Sequence, residues 1–362
     1  MFFTEPPRLP DEWISRIRNN ADTAEQQREL AADTLSLFFE QGWFKMLAPR
    51  SVGGLQWGLP RAIRLEEAVA YADGSAGWVL TLCSGAGWFG GFMDPVFAGE
   101  VFRHPQALLA GSGAATGEAE RLPDGQYRVN GRWNYASGTP HATHFTANCV
   151  LTENGIPVLD DDNQPVIRPF AFLRSEVTPL DTWRTIGLIA SASHSFEIQN
   201  CVVPAERTFL LDPQAVRADD PLYRYPFLPF AEATLAVNLS GMAVHFLEEC
   251  EGYFRLKKTR GGIPVLSHLG EDFDRQVRQL DDARQQLFRA VDESWEACRQ
   301  DRFSDGHASA IHDHALGLAS AARMLVDTLY PYGGLTAADP SHVLNRIWRD
   351  LHTASQHSLL MP

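Results

Sequence analysis

The apolar positions of this chain change period twice, and the two changes divide it into three parts. Over residues 10–44, Trp13, Ile14, Ile17, Leu30, Leu35, Phe38 and Phe39 recur at helical spacing with charges between them. This predicts one or two helices closed by Gly42. A breaker-rich loop follows from Leu47 through Pro49 to Gly53 and Gly54. Pro60 opens a helix to about Ala72. Asp73, Gly74 and Ser75 then read as a stop and an N-cap for a second helix reaching about Phe92. The near-lack of charge between Ala76 and Met93 predicts that this helix is buried.

Helical spacing stops near Pro105. Residues 108–211 are short β-branched and aromatic runs broken by turn residues such as Pro123-Asp124-Gly125, which predicts a compact β-domain. Within it Tyr127, Val129, Trp133 and Tyr135 fall at even spacing, and Asn130-Gly131 between them predicts a type I′ turn. Residues 127–142 therefore read as a hairpin ending in a small-residue loop at Ser137-Gly138. Gly111, Gly113 and Gly117 invite a dinucleotide reading, but that fingerprint must open a helix, and here a turn and a strand follow. The segment reads instead as a glycine-rich strand end able to approach a ligand.

From about Pro221 the chain is helical to its end, over residues 230–258, 268–302, 306–330 and 340–357. Each stretch keeps an apolar stripe beside a charged face, as with Leu280, Leu287, Val291 and Trp295. Long helices with short breaks predict a bundle. Ala236, Ser240, Gly241 and Ala243 would let two of its helices approach closely. The expected fold is α+β, mainly α: an N-terminal helical domain (1–105), a central β-barrel or sandwich domain (106–218) and a C-terminal four-helix bundle (219–362).

Composition narrows the partners. The 362 residues, 44% hydrophobic and 21% charged, suffice for a large core. With 31 basic against 45 acidic residues the net charge is -14, which argues against nucleic acid or an anionic membrane as the main partner. Five dispersed cysteines (Cys83, Cys149, Cys201, Cys250, Cys298) without a C-x-x-C pair predict neither a disulfide framework nor a zinc ribbon. With no targeting signal or membrane span read from the chain, a cytoplasmic protein is expected. His312-Asp313-His314 sets alternate residues on different helix faces and predicts no metal site.

Five blocks in order carry a family likeness: Pro49 with Gly53-Gly54; Ala72-Asp73-Gly74-Ser75 with Trp78; Trp133 with Ser137-Gly138; Trp183, Gly187, Ser191 and Ser193 followed by Val203-Pro204; and Gly333-Gly334 followed by Arg349-Asp350. In these the chain resembles the acyl-CoA dehydrogenase superfamily of flavoproteins, and more closely its two-component monooxygenase branch. The resemblance implies a flavin, FAD or FMN, between the β-domain and the bundle, and a homotetramer, a dimer of dimers, with flavin sites at subunit interfaces. It implies flavin contacts from Tyr135, Ser137, Gly138, Trp183, Ser191, Ser193, Gly333 and Gly334. Lys257 and Arg260 would meet the pyrophosphate of the neighbouring subunit's flavin. Tyr330 stands near the place of the glutamine that often meets the FAD adenine, which keeps FMN open.

Superfamily enzymes divide by chemistry. A dehydrogenase needs a carboxylate base over its acyl thioester; a monooxygenase needs reduced flavin from a separate reductase, a donor near the flavin and an acid or base for its small substrate. After Asp350 the chain runs LHTASQHSLLMP, with no acid. The resemblance instead implies His357 as the monooxygenase imidazole, with Ser137 as the donor to flavin. The alternative is an acyl-CoA dehydrogenase with Glu251 as base, at the helix end where a minority of that family carries it. A third reading is a non-catalytic flavin-binding or assembly subunit. Trp88, Phe89, Phe227 and Phe230 read as a substrate tunnel or as plain core. The few residues after His357 imply a more open site or a less complete tetramer.

Overall fold

The computed structural model describes residues 3–361. Five helices come first: α1 (Asp11–Gln27), α2 (Ala32–Glu40), α3 (Leu59–Ala72), α4 (Gly74–Gly87) and α5 (Pro95–Phe102). Gly42, with φ of 67°, turns the chain after α2. The N-cap of α4 is Asp73, whose carboxylate accepts from the Ala76 N–H at 2.9 Å; Ser75 lies inside the helix. As its composition predicts, α4 is almost wholly buried.

Seven strands follow: β1 (Leu109–Arg121), β2 (Tyr127–Ala136), β3 (His144–Glu153), β4 (Ile156–Pro157), β5 (Ile167–Leu173), β6 (Thr178–Leu180) and β7 (His194–Val203). They form one sheet in the order β4-β3-β1-β2-β7-β6, with β5 also paired to β3. β1 and β3 run parallel and the other pairings are antiparallel.

The expected turn at Asn130-Gly131 is corrected here. β2 runs straight through it, and its hairpin with β1 turns instead at Pro123-Asp124-Gly125, where Gly125 has φ of 86°. β2 lies between β1 and β7, so both of its edges are paired, and the Asn130 region is absorbed as a bulge against β7. The Asn130 side-chain Oδ1 accepts from the Asn200 N–H at 2.7 Å. Gly131 is needed for packing: a Cβ there would stand 2.6 Å from the Gly117 Cα and from the Trp133 ring. Trp133 stacks on Phe196 in the sheet core, with ring centroids 5.3 Å apart.

The remaining helices are α6 (Pro221–Arg224), α7 (Phe227–Leu256), α8 (Val265–Leu269), α9 (Glu271–Arg299), α10 (Asp305–Leu329), α11 (Gly334–Ala337) and α12 (Val343–Ala354). α7 is long and apolar enough to cross a membrane, but 89% of its apolar window is buried inside the protein. It is the axis of the bundle. Gly241 lets it lie against α3, since a Cβ there would strike the Glu67 carbonyl. Arg284 of α9 fastens the same layer: its guanidinium is fully buried and grips both oxygens of Glu67, at 2.7 and 2.9 Å.

Candidate functional site

Where α4 and the first turns of α7 face β1 and β3, the chain encloses a cavity of about 290 Å³. Its helical walls carry Leu82 and Gly85 from α4, Phe89 from the 3₁₀ turn Trp88–Gly91 that follows it, and Phe227, Phe230 and Thr234 from α7. Its sheet wall carries Ser112 and Gly113 from β1 and Thr146 and Asn148 from β3. Ser137 and His357 both reach this cavity although they are 220 positions apart.

Ser137 ends a chain of hydroxyls. Its Oγ lies 2.8 Å from Ser193 Oγ, which lies 2.8 Å from Ser191 Oγ. Three hydroxyls joined by two bonds leave one O–H uncommitted. When the chain runs from Ser191 towards the cavity, that O–H belongs to Ser137, which is only 4% exposed. Gly138, with φ of 74°, turns the strand end so that its N–H donates to the Ser191 carbonyl at 2.8 Å. No side chain fits there, because a Cβ would stand 2.9 Å from Cys83 Sγ.

The loop bearing Ser191 and Ser193 is held from the C-terminal helix. Leu188, at φ 50°, donates its N–H to Asp350 Oδ1 at 2.5 Å, and Arg349 Nη1 donates to the Ile186 carbonyl at 2.7 Å. Gly187 permits this approach, since a Cβ there would strike the Arg349 carbonyl. Burial and the neighbouring Asp73 push the Asp350 carboxyl up to about 8. Trp183 closes the loop by donating from Nε1 to the Leu188 carbonyl at 2.9 Å. Tyr135 lies outside the cavity: it is 72% exposed at φ 68°, edge-on to Trp183 with ring centroids 6.0 Å apart.

His357 follows the end of α12 and opens a short 3₁₀ turn, Ser358–Leu360, that packs back on the protein. Its Nδ1 accepts from the Leu359 N–H at 3.3 Å. Burial holds its pKa below the ordinary histidine value, so the ring is neutral at neutral pH, and acceptance at Nδ1 leaves the proton on Nε2. Trp78 meets the ring edge-on at 6.1 Å. His352 points elsewhere, stacked on Trp348 and paired with Asp327 at 2.9 Å.

The remaining expected residues collect at the far end of α7. Glu251 lies 16 residues beyond Leu235, the last α7 residue at the cavity, which is about 24 Å along the axis at ~1.5 Å per residue. It pairs with Arg255 at 2.5 Å. Lys257 donates its ammonium to the Gly333 carbonyl, and a Cβ on Gly334 would stand 2.7 Å from that ammonium. Arg260 is exposed in the loop beyond. The expected residues thus form two groups, Ser137 and His357 at the cavity with Ser193 and Ser191 behind Ser137, and Lys257 with Gly333 and Gly334 away from it. Of the aromatic residues, Phe89, Phe227 and Phe230 line the cavity, while Trp88 stacks behind Phe230 in the core.

Sequence reasoning passed over Thr146, Asn148 and Gly85. The signal for the first two was present: polar residues at i and i+2 in an otherwise apolar strand face one side together. The cleft suits a flavin edge. The wall at Gly113 is open where a Cβ would meet nothing within 4 Å, and the buried Ser137 hydroxyl is available beside it.

Residues 275–362 match the family described as acyl-CoA dehydrogenase, C-terminal domain. Indole-3-acetate monooxygenase of Pseudomonas putida is 27% identical, over 96% of this chain and 88% of that protein. The HsaA monooxygenase of M. tuberculosis superposes with a TM-score of 0.85 at 23% identity, over 97% of this chain and 92% of that one. XiaF from a Streptomyces species, solved with FADH2 and glycerol, gives 0.83 at 20% identity, over 97% and 90%. The sequence relatives are monooxygenases, and with them the chain is a flavin-dependent oxidoreductase. Over residues 275–362 the chain is thus similar to the acyl-CoA dehydrogenase C-terminal domain, and over nearly its whole length to flavin-dependent monooxygenases.

Proposed function

We propose that this protein is the oxygenase component of a two-component aromatic hydroxylase that uses reduced FAD. The observation that carries the reading is the meeting of Ser137 and His357 at one apolar cavity, with no carboxylate side chain among its described lining residues. Reduced flavin supplies two electrons and two hydrogens, so that one atom of O2 enters a substrate C–H bond and the other leaves as water. The chain's own residues position the reactants. Ser137 O–H, aligned by Ser193 and Ser191, donates to the flavin edge. His357 Nε2–H donates a hydrogen bond towards the oxygen being transferred or the substrate's hydroxyl. Phe89, Phe227 and Phe230 hold a planar ring and exclude water. The name of the Pseudomonas putida relative supports an aromatic substrate.

The second group of residues fits a site shared between subunits. Lys257, Arg260, Gly333 and Gly334 would meet the pyrophosphate end of a neighbouring subunit's flavin in a homotetramer. The dehydrogenase alternative requires a carboxylate at the reacting carbon, and the separation of Glu251 from the cavity speaks against it.

The test supplies the protein with photoreduced FAD or FMN, ¹⁸O₂ and a panel of phenols and indoles, and follows the mass of the products. One ¹⁸O atom per product, lost in His357→Ala while reduced flavin still binds, supports the proposal. Anaerobic bleaching of oxidised flavin by an acyl-CoA, without ¹⁸O in any aromatic product, would overturn it in favour of Glu251.

A further inference from the structure

We propose that the substrate taken by this cavity is an uncharged aromatic, a single ring or a fused pair without a carboxylate, and that Gly85 sets the upper limit of its size. This rests on the monooxygenase reading and names the substrate class of that same site.

The lining is the first observation. Among the described residues around the cavity there is no Lys, Arg, Asp or Glu side chain. A carboxylate entering here would lose its hydration and gain no counter-charge, which is unfavourable for any buried ion. Among the described wall residues, His357 alone could become cationic by gaining a proton, and burial opposes that change.

Polar groups around the wall are already engaged in ways suited to neutral partners. Thr81 Oγ1 accepts from Asn238 at 2.9 Å, Thr234 donates to the Ala231 carbonyl at 3.0 Å, and the Asn148 amide donates to the Gly113 carbonyl at 2.8 Å. Such groups can exchange a hydrogen bond with a phenol O–H or an indole N–H. They cannot neutralise an anion. The rest of the helical wall is apolar, with three phenylalanine rings, Phe89, Phe227 and Phe230, which favours an aromatic ring.

Size is the second observation. About 290 Å³ lies at the lower edge of the roughly 300–1,000 Å³ usual for ligand sites, and the flavin edge must share it. Gly85 stands mid-wall on α4, and a Cβ built there meets nothing within 4 Å. The space a side chain would occupy at this position is therefore open to a ligand. Ala86 and Ala231 keep the same wall thin.

The experiment uses matched pairs that differ by a carboxylate: indole against indole-3-acetate, and 4-methylphenol against 4-hydroxyphenylacetate. Each is titrated anaerobically into protein loaded with reduced FAD and read by tryptophan fluorescence, then carried through turnover with ¹⁸O₂. The neutral member of each pair should bind and react about 100-fold better, the scale of an unmatched buried polar group. Leu82→Arg, which puts a cation in the wall, should narrow or reverse that ratio. Gly85→Val should lower the ratio of indole to 4-methylphenol binding about tenfold, a readout independent of turnover. Equal or better handling of the carboxylates, or binding of neither member, overturns the neutral class. An unchanged ring-size ratio in Gly85→Val removes its role. Oxygen in the products with carboxylates preferred would leave the monooxygenase reading standing, whereas ¹⁸O in no product while neutral rings still bind would strike that reading alone.

Discussion

The Leu188 N–H donates to Asp350 Oδ1 at 2.5 Å across the seam between α12 and the loop that carries Ser191 and Ser193. One hydrogen bond thus ties the C-terminal helix to the hydroxyl chain at the cavity. Leu188 and Ala192 both sit at positive φ, 50° and 45°, conformations that non-glycine residues adopt only when their surroundings hold them.

Asp350→Ala should cost about 1–3 kcal/mol, because the Leu188 N–H loses its acceptor in a buried place. Asp350→Asn keeps an acceptor and should cost less. The pH dependence separates them further. The folded carboxyl titrates at about 8 against an ordinary 3.8, so the folded state holds an extra proton between those values. Its stabilising contribution is complete at acid pH and is lost as pH rises to about 8. Thermal melts from pH 5 to 9 should decline less steeply for Asp350→Asn than for the natural protein. Parallel curves would remove this account of Asp350.

The hydroxyl chain predicts an order of effects. Ser137→Ala removes the donor itself and should weaken reduced-flavin binding about tenfold, or ~1.4 kcal/mol. Ser191→Ala, at the far end, should do less, because Ser193 can still donate to Ser137. Dissociation constants for reduced FAD decide it, and a larger effect at Ser191 than at Ser137 would reverse the assigned direction.

For His357 the sign follows from burial. Protonation at Nδ1 would break the bond from the Leu359 N–H that orients the ring, and burial moves that step below the ordinary histidine pKa of 6.5, so the acid limb of kcat/KM should fall below that value. His357→Asn, which keeps a donor but cannot titrate in this range, should lose rate by about 100-fold and lose that limb with it. A limb that survives in the variant belongs to another group.

Arg284→Ala should destabilise the protein by about 3–5 kcal/mol, because Glu67 is left as an uncompensated buried charge. Arg284→Met should cost less where Glu67→Gln accompanies it. Denaturant unfolding of the two single variants and the double variant gives the coupling.

Much of this was legible in the residues. The period changes near Pro105 and Pro221 mark where helices give way to strands and return, and Asp73, Gly42 and Pro123-Asp124-Gly125 all punctuate the chain as written. Asn130-Gly131 misled because turn propensity is local, while pairing of β2 on both edges is decided by β1 and β7. The same limit hid Gly85: a glycine in an apolar helix shows nothing of itself until the opposite wall is known. Ser137 and His357 could be picked out by kind and by family likeness, but their meeting at one cavity depends on how α12 docks against α4, α7 and the loop at Leu188.

The uncharged wall bears also on the gaseous reactant. Dioxygen is apolar and, like other apolar solutes, is poorly accommodated by water and better by a hydrocarbon-like medium. Leu82, Phe89, Phe227 and Phe230 make the cavity such a medium, so the wall that turns anions away also acts as a local solvent for oxygen, raising its concentration where it is consumed.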